Sequence, residues 1–591
     1  MSGPSPAMTK KGKRDMATVL EVKNPGKLQV VLDKDIDIPM RDGAKLKANV
    51  FRPEAPGKYP VVMTFGPYGK DLHFSQHRLE SWETLVNDYK PIFEHSSGKH
   101  MVFETPDPEV WVPNGYVTIR VDSRGACKSP GKLDVNGPQE FVDFYDAIEW
   151  AGVQPWSNGK VGLIGISYYA CGQWMVASLR PPHLAAIQPW QGTSDFYRGR
   201  TRQGGMFCNG FVHRWWTGVI RKQYGNPKCD LKDMISGERL AGGPDLTEDQ
   251  LKANRSEYID MVLAHPFDDQ HYRSRSGDLS KIDIPALVVA NWGGLGLHLR
   301  GTITGFMGLS SKDKWLKVQS GSYFATFFMP DSVAIQRKFF DRYLKGENNG
   351  WEKEPRVEVW VRAPGDTVKR VVTGKEWPLE TTKWTKMYLD AGKKSLEWQA
   401  PNDGASASYP ALSEGAVFSS APVDRDLEFA GPIKAKLFVA CDKPDMDLFA
   451  TIQGFDAGGK EITFFAADEP KMPISQGWLR ATQRKLDTKR TTDWMPWHTH
   501  DENQPLKPGE VYEVDVEIWP ASVFLPKGSR IVLRLQGKDF ERPDATGPLK
   551  GSGLFTHTDP TDRPPERFNG THTVHTGGAR ASYLQLPVLP G

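Results

Sequence analysis

Cysteine is scarce: five in 591 residues, at positions 127, 171, 208, 229 and 441. No two stand at metal-ligand spacing, which argues against a disulfide framework and a cysteine-based zinc site. No apolar run approaches the ~20 residues needed to span a bilayer. Neither sign of charge dominates: Lys+Arg 75 against Asp+Glu 72 leaves +3, so nothing global points to nucleic acid or a membrane surface as partner. Internal repeats and low-complexity segments are also lacking. Mean hydropathy of −0.50 with 39% hydrophobic residues excludes an integral membrane protein and a disordered chain. Met1–Ala17 carries Lys10, Lys11, Lys13 and Arg14 with no apolar core after them. It reads as a solvated tail, not a secretory signal. The expectation is a soluble protein of a reducing, cytoplasmic compartment.

What is abundant is turn-forming and aromatic: 57 Gly, 45 Pro and 19 Trp. These imply many turns and large apolar surfaces. The length predicts about two to four domains. Short apolar strands are expected at Tyr59–Phe65, Gly115–Val121, Lys160–Ile166, Leu184–Pro189, Ala286–Ala290 and Trp315–Val318, with a helix at Glu140–Gly152. Such alternation indicates a parallel sheet with helices on both faces. From about Asp195 to Ile282 the alternation breaks into an aromatic stretch with Phe207, Phe211, Trp215 and Trp216, read as a cap over the sheet. After Trp351 the texture becomes period-two, as in Val357, Val359, Val361 and later in Ile531, Leu533, Leu535. That is the pattern of an all-β sandwich or jelly roll. The division expected is a tail at 1–29, an α/β domain at 30–194 and 283–354 with the helical cap at 195–282 inserted, and the β domain at 355–591.

The sharpest chemical signal is Gly165-Ile166-Ser167-Tyr168-Tyr169. Apolar strand residues precede the serine and a helix follows it. That context holds a hydroxyl on a tight strand-to-helix turn, facing the helix N-terminus and the next backbone N–H. The usual fifth-position glycine is Tyr169. The bland alternative is a helix-capping serine.

Here the chain resembles the cocaine-esterase-like (CocE/NonD) α/β-hydrolases, related to X-prolyl dipeptidyl peptidases. The resemblance is carried by Gly66-Pro67-Tyr68-Gly69-Lys70, Arg120-Val121-Asp122-Ser123-Arg124-Gly125, Gln154-Pro155-Trp156-Ser157-Asn158-Gly159, Gly165-Ile166-Ser167-Tyr168, Ser194-Asp195-Phe196-Tyr197-Arg198 and Gly477-Trp478-Leu479-Arg480-Ala481. It covers nearly the whole chain from about residue 30. It implies an α/β-hydrolase fold with an inserted helical cap, followed by an all-β jelly-roll domain. It places the nucleophile on Ser167 and the oxyanion hole on the Tyr68 hydroxyl and the Tyr168 N–H.

The rest of the family's triad does not match. Where its acid is expected the chain reads Asn291-Trp292-Gly293-Gly294-Leu295; a glutamate position in some relatives reads Pro189-Trp190-Gln191-Gly192. Tyr323, in Ser320-Gly321-Ser322-Tyr323, stands at the histidine position. A serine hydroxyl needs a base to take its proton, and tyrosine (pKa ≈ 10) and glutamine are poor substitutes for imidazole and carboxylate. His298 is the best candidate for another base; a structural helix residue is the alternative. Three functions therefore stand open. The first is a Ser167-based acyl hydrolase acting on an apolar small molecule. The second is a repurposed enzyme of the same fold, catalysing cyclisation, elimination, isomerisation or acyl transfer. The third is a non-catalytic binder.

Trp190, Phe207, Trp215, Trp216 and Trp292 are candidates for substrate contact, although Trp215 and Trp216 could equally pack the cap's own core. Asp122 and Arg124 are expected to hold loops together, and Asp195 with Arg198 to form a structural ion pair. Trp497-His498-Thr499-His500-Asp501 offers metal-type ligands but reads as a solvated loop. No metal or cofactor and no nucleic-acid or membrane partner is expected; a homo-oligomer stays open.

Overall fold

The computed structural model describes residues 18–20, 28–467, 469–543 and 549–590. The basic segment expected as a tail, Met1–Ala17, lies outside the described residues. Eleven strands form the first sheet. In chain order they are β1 Thr18–Leu20, β2 Val30–Pro39, β3 Lys45–Pro53, β4 Tyr59–Gly66, β5 Val117–Asp122, β6 Ser157–Ile166, β7 Leu184–Trp190, β8 Ala286–Asn291, β9 Lys314–Gln319, β10 Val357–Ala363 and β11 Thr367–Gly374. Their spatial order is β1-β2-β3-β5-β4-β6-β7-β8-β9-β10-β11. Pairing is parallel from β5 through β10 and antiparallel at both margins.

The central strands are apolar on both faces because both are covered. Val161 and Leu163 of β6 enter one core, and Ile164 and Ile166 the other. Val288 and Ala290 of β8 are likewise separated from Leu287 and Val289. The helices that matter for the site are α1 Pro138–Gly152, α2 Tyr168–Ser178, α3 Asn209–Ile220 and α4 Leu299–Gly308. Between β7 and β8 the chain leaves the sheet and builds α3 and further short helices.

One expectation needs correction. Val357–Ala363, assigned by its alternation to the β domain, pairs in parallel with β9 and extends the first sheet, and Thr367–Gly374 follows it. Period two identifies a half-buried strand but not its partner. The following all-β domain closes on itself: Leu427–Cys441 pairs with Tyr512–Leu525 on one side and with Tyr583–Val588 on the other. The circuit returns through Ser475–Arg480, Asp447–Phe455, Arg530–Gln536, Ala416–Ser420, Ser395–Glu397 and Lys383–Asp390. Gly477 permits the close approach of Ser475–Arg480 to Tyr512–Leu525, since a Cβ there would lie 2.4 Å from the Glu517 carbonyl oxygen. Among the described residues no helix is long and apolar enough to cross a membrane.

Candidate active site

Ser167 links β6 to α2 with φ 57° and ψ −116°. A non-glycine residue at positive φ is strained by roughly 1–3 kcal/mol, and the flanking contacts hold it there. Its N–H donates to the Trp190 carbonyl (3.1 Å), and its carbonyl accepts from Cys171 N–H (2.8 Å). Ile166 N–H is fixed by the Glu104 carbonyl at 3.1 Å. Tyr169 fits at the fifth position because Gly66 leaves space. A Cβ on Gly66 would come within 3.0 Å of the Tyr169 ring and 3.1 Å of the Tyr168 ring.

Ser167 Oγ lies 2.9 Å from Nε2 of His298. His298 follows β8 and stands at the start of α4, where its N–H donates to the Gly294 carbonyl at 3.0 Å. Its other ring nitrogen, Nδ1, accepts Thr193 N–H at 3.3 Å. A neutral imidazole carries one proton. With Nδ1 accepting, that proton sits on Nε2 and is donated to Oγ. Burial, and secondarily the charge of Arg200, bring the ring down to about 3, well below an ordinary histidine. His298 is therefore neutral at physiological pH, and the contact recorded at Nδ1 is a backbone N–H, not a carboxylate.

Tyr68 is buried, and its hydroxyl accepts Trp215 Nε1–H at 2.8 Å. That leaves its own proton for a ligand, and burial pushes its ionisation above the ordinary phenol range. The N–H of Tyr168 belongs to the first turn of α2, whose donors have no partner within the helix. The Tyr168 hydroxyl faces elsewhere, donating to Glu140 at 2.6 Å and accepting Asn136 N–H at 2.8 Å. Arg200 is buried with its guanidinium 4.2 Å from the Trp215 ring centre and bonded to Asn136 Oδ1.

A cavity of about 310 Å³ opens at Ser167. Its wall is largely aromatic and aliphatic, with Tyr68, Phe103, Phe211, Trp215, Val219, Leu297, Tyr323 and Phe324. The α3 segment supplies several of these and roofs the site. The same wall carries Arg78, Arg214, Arg221 and Lys222. Glu104 is the one acidic residue among the described residues lining it.

A hydrolase from Staphylococcus aureus, described as of the CocE/NonD family, superposes with a TM-score of 0.84. It is 32% identical, over 97% of this chain and 96% of that one. The chain belongs to the CocE/NonD family of hydrolases. Residues 42–322 match the X-Pro dipeptidyl-peptidase (S15 family) model, and residues 349–585 match the X-Pro dipeptidyl-peptidase C-terminal non-catalytic domain. The cocaine esterase of a Rhodococcus species is 24% identical over 94% of this chain and 98% of its own length. An α-amino acid ester hydrolase shares the fold, with TM-score 0.66 and 17% identity over 98% of this chain and 100% of that one. This CocE/NonD protein is thus a serine hydrolase of the esterase and peptidase kind.

Within this hydrolase the residues standing at the expected triad positions brace one another. Tyr323 lines the cavity, and its hydroxyl donates to the Gln191 carbonyl at 3.3 Å. Gln191 is buried off the cavity wall, and its Nε2 donates back to the Tyr323 carbonyl at 3.1 Å. The Tyr323 ring stacks on His298 at 6.4 Å between centres. Gly294 supplies the carbonyl that holds the His298 backbone.

Of the residues expected to touch substrate, Trp215 lines the cavity and Trp190, Phe207, Trp216 and Trp292 do not. Trp190 packs edge-on against Phe327, and Phe207 is fully buried. Trp216 packs on Tyr258, and Trp292 donates to the Trp360 carbonyl at 2.9 Å. Aromatic side chains in a large protein have several apolar interfaces to fill, and type alone does not assign them.

The Trp497–Asp501 segment is a further correction. His498 and His500 are buried, not solvated. The His498 carbonyl accepts Arg198, and His500 Nδ1 meets Gln483 Oε1 at 2.8 Å. Among the described residues no three His, Cys, Asp or Glu side chains are grouped so as to hold a metal ion. Asp122 accepts Lys70 N–H at 2.7 Å, and Arg124 grips Asp143 through two bonds of 2.7 Å. Arg198 joins Asp195 at 3.1 Å and Asp268 at 2.8 Å.

Thr193, Glu104, Arg200 and Lys222 were not legible as site residues. Glu104 and Thr193 belong to loops after strands or turns with no motif of their own, and Arg200 and Lys222 lie in the insertion.

Proposed function

We propose that this protein hydrolyses a small ester or amide through an acyl-enzyme on Ser167, with His298 as its proton partner. The observation that carries the reading is the 2.9 Å contact between Ser167 Oγ and His298 Nε2 on a strained strand-to-helix turn. Oγ attacks the scissile carbonyl, and the oxyanion develops towards the Tyr68 hydroxyl and the N–H of Tyr168. Each such donor contributes roughly 10²–10³ in rate. The proton of Oγ passes to Nε2 and then to the leaving group, and water repeats the sequence on the acyl-enzyme.

Proton uptake at Nε2 requires the ring's own proton to stand on Nδ1, which opens the Thr193 contact. Among the described residues no carboxylate contact at Nδ1 rewards that tautomer. In serine proteases, holding the wrong tautomer lowers kcat by about 10⁴, so slow turnover of generic esters is expected. The readings of a non-hydrolytic enzyme or a passive binder grew from the replacement of both the base and the acid; the His298 contact with Ser167 Oγ supports hydrolysis by supplying the first. The aromatic wall suits an apolar acyl or leaving group, while its four cationic residues argue against a wholly apolar substrate.

The test is labelling by a serine-directed fluorophosphonate, with phenyl acetate hydrolysis as the second readout. The wild type should label and turn over, Ser167→Ala should do neither, and His298→Ala should slow both by at least about 10². Labelling that survives Ser167→Ala refutes the assignment.

A further inference from the structure

We propose that Lys222 forms an anion subsite of the Ser167 cavity and selects esters bearing a second, distal carboxylate. This rests on the serine-hydrolase reading of the site and names its substrate class. Lys222 follows α3 and is 3% exposed, yet it lines the cavity. Its ammonium lies 5.8 Å from the centre of the Tyr68 ring, beside the residue that offers a hydroxyl to the oxyanion. An ammonium has three donors. The one hydrogen bond recorded for it among the described residues goes to the Gly218 carbonyl at 2.6 Å, and none of the ion pairs there includes it.

A buried ammonium without a counter-charge is costly unless something neutralises it. Burial accordingly lowers its pKa to about 8. Arg214, exposed on the same wall, adds positive charge there, while Arg221 is paired with Asp230 at 2.7 and 2.6 Å. A carboxylate entering this cleft gains a partner in a water-poor setting, where a charge pair is strongest. Capping the end of α3 is a task the Gly218 bond alone fulfils, and it does not require the cavity.

The decisive pair of substrates is monophenyl glutarate and methyl phenyl glutarate, which differ only in a methyl cap on the distal carboxylate. At pH 6.5 the wild type should prefer the anionic ester in kcat/KM by about tenfold or more. Lys222→Met should abolish that preference, since removing one partner of a buried charge pair costs about 30-fold or more; Lys222→Arg should retain part. The preference should fade as pH rises through about 8, where Lys222 loses its charge. The groups facing it are Arg221, Cys127, Cys229, His77 and Tyr68. Equal rates on the two esters in the wild type overturn the subsite and leave the serine-hydrolase reading standing, whether or not Lys222→Met folds. A preference unchanged in folded Lys222→Met overturns it too. If neither ester is hydrolysed, glutarate binding to the full-length protein by calorimetry decides. Binding weakened in Lys222→Met supports the subsite while the hydrolase reading falls; no binding overturns it.

Discussion

The neutrality of His298 sets the acid limb of activity. Both roles of the ring, donating from Nε2 and accepting there after tautomer exchange, require an uncharged imidazole. An ordinary histidine near 6.5 is only about 1% neutral at pH 4.5, so a hydrolase relying on it loses roughly 100-fold between neutral pH and pH 4.5. With the ring at about 3, about 97% stays neutral at pH 4.5 and kcat/KM should change by less than about twofold. The sign follows from the cause. Burial disfavours the charged ring, and Arg200 repels it, so protonation is deferred to lower pH. Arg200→Met should move the limb upward, yet keep it below 6.5, because the larger cause, burial, remains.

The assay is kcat/KM on phenyl acetate from pH 4.5 to 6.5, with circular dichroism at each pH to separate loss of fold. Of the other groups, His77 and Lys222 on the cavity wall and Arg200 behind it, His77 is held well below its ordinary range by burial, and Lys222 and Arg200 stay charged. Glu104 is the one carboxylate among the described residues lining the cavity, and Glu104→Gln resolves its share. A wild-type limb at pH 6–7 that persists in Glu104→Gln refutes the reasoning.

Other consequences are equally direct. Tyr68→Phe removes one oxyanion donor while keeping the ring, and kcat on phenyl acetate should fall about 10²–10³ with little change in KM. Gly301→Ala places a Cβ 1.8 Å from Thr193 Oγ1 and 2.7 Å from its Cα; the overpacking should lower stability by roughly 1–3 kcal/mol in urea unfolding and disturb the Thr193–His298 contact. Gln191→Glu sets a carboxylate against the Tyr323 carbonyl, 3.1 Å from the present Nε2, and should cost about 1–3 kcal/mol with no gain in esterase rate. Burial raises Glu140 to about 8. The folded state therefore keeps a proton that the unfolded state releases from about pH 4.5. Stability should decline as pH rises from 4.5 to 8, at up to about 1.4 kcal/mol per unit from this group, and Glu140→Gln should flatten the fall in Tm between pH 5 and 8.

The residues by themselves determined what local periodicity and backbone sterics can encode. Apolar runs such as Val61–Phe65 and Val161–Ile166 require a sheet covered on both faces. Gly165-Ile166-Ser167 followed by a helix requires the tight turn on which Ser167 sits at φ 57°. The Ser167 segment was readable because it ends a strand and carries its own motif, and Tyr68 because the family resemblance placed it at the end of another. Only the tertiary structure decided which side chains meet Ser167. His298 is 131 residues away and reaches Oγ because β6 and β8 flank β7 and the loops that follow them share one sheet edge. Lys222 reaches the cavity because the insertion folds back over that edge. Val357–Ala363 joined the first sheet because β9 offered it an unpaired edge, something its alternation could not express. His498 and His500 are buried because Arg198 meets the loop backbone across the two domains. Period and motif act over a few residues; proximity across a hundred or more is fixed by how the strands pair and where the loops return.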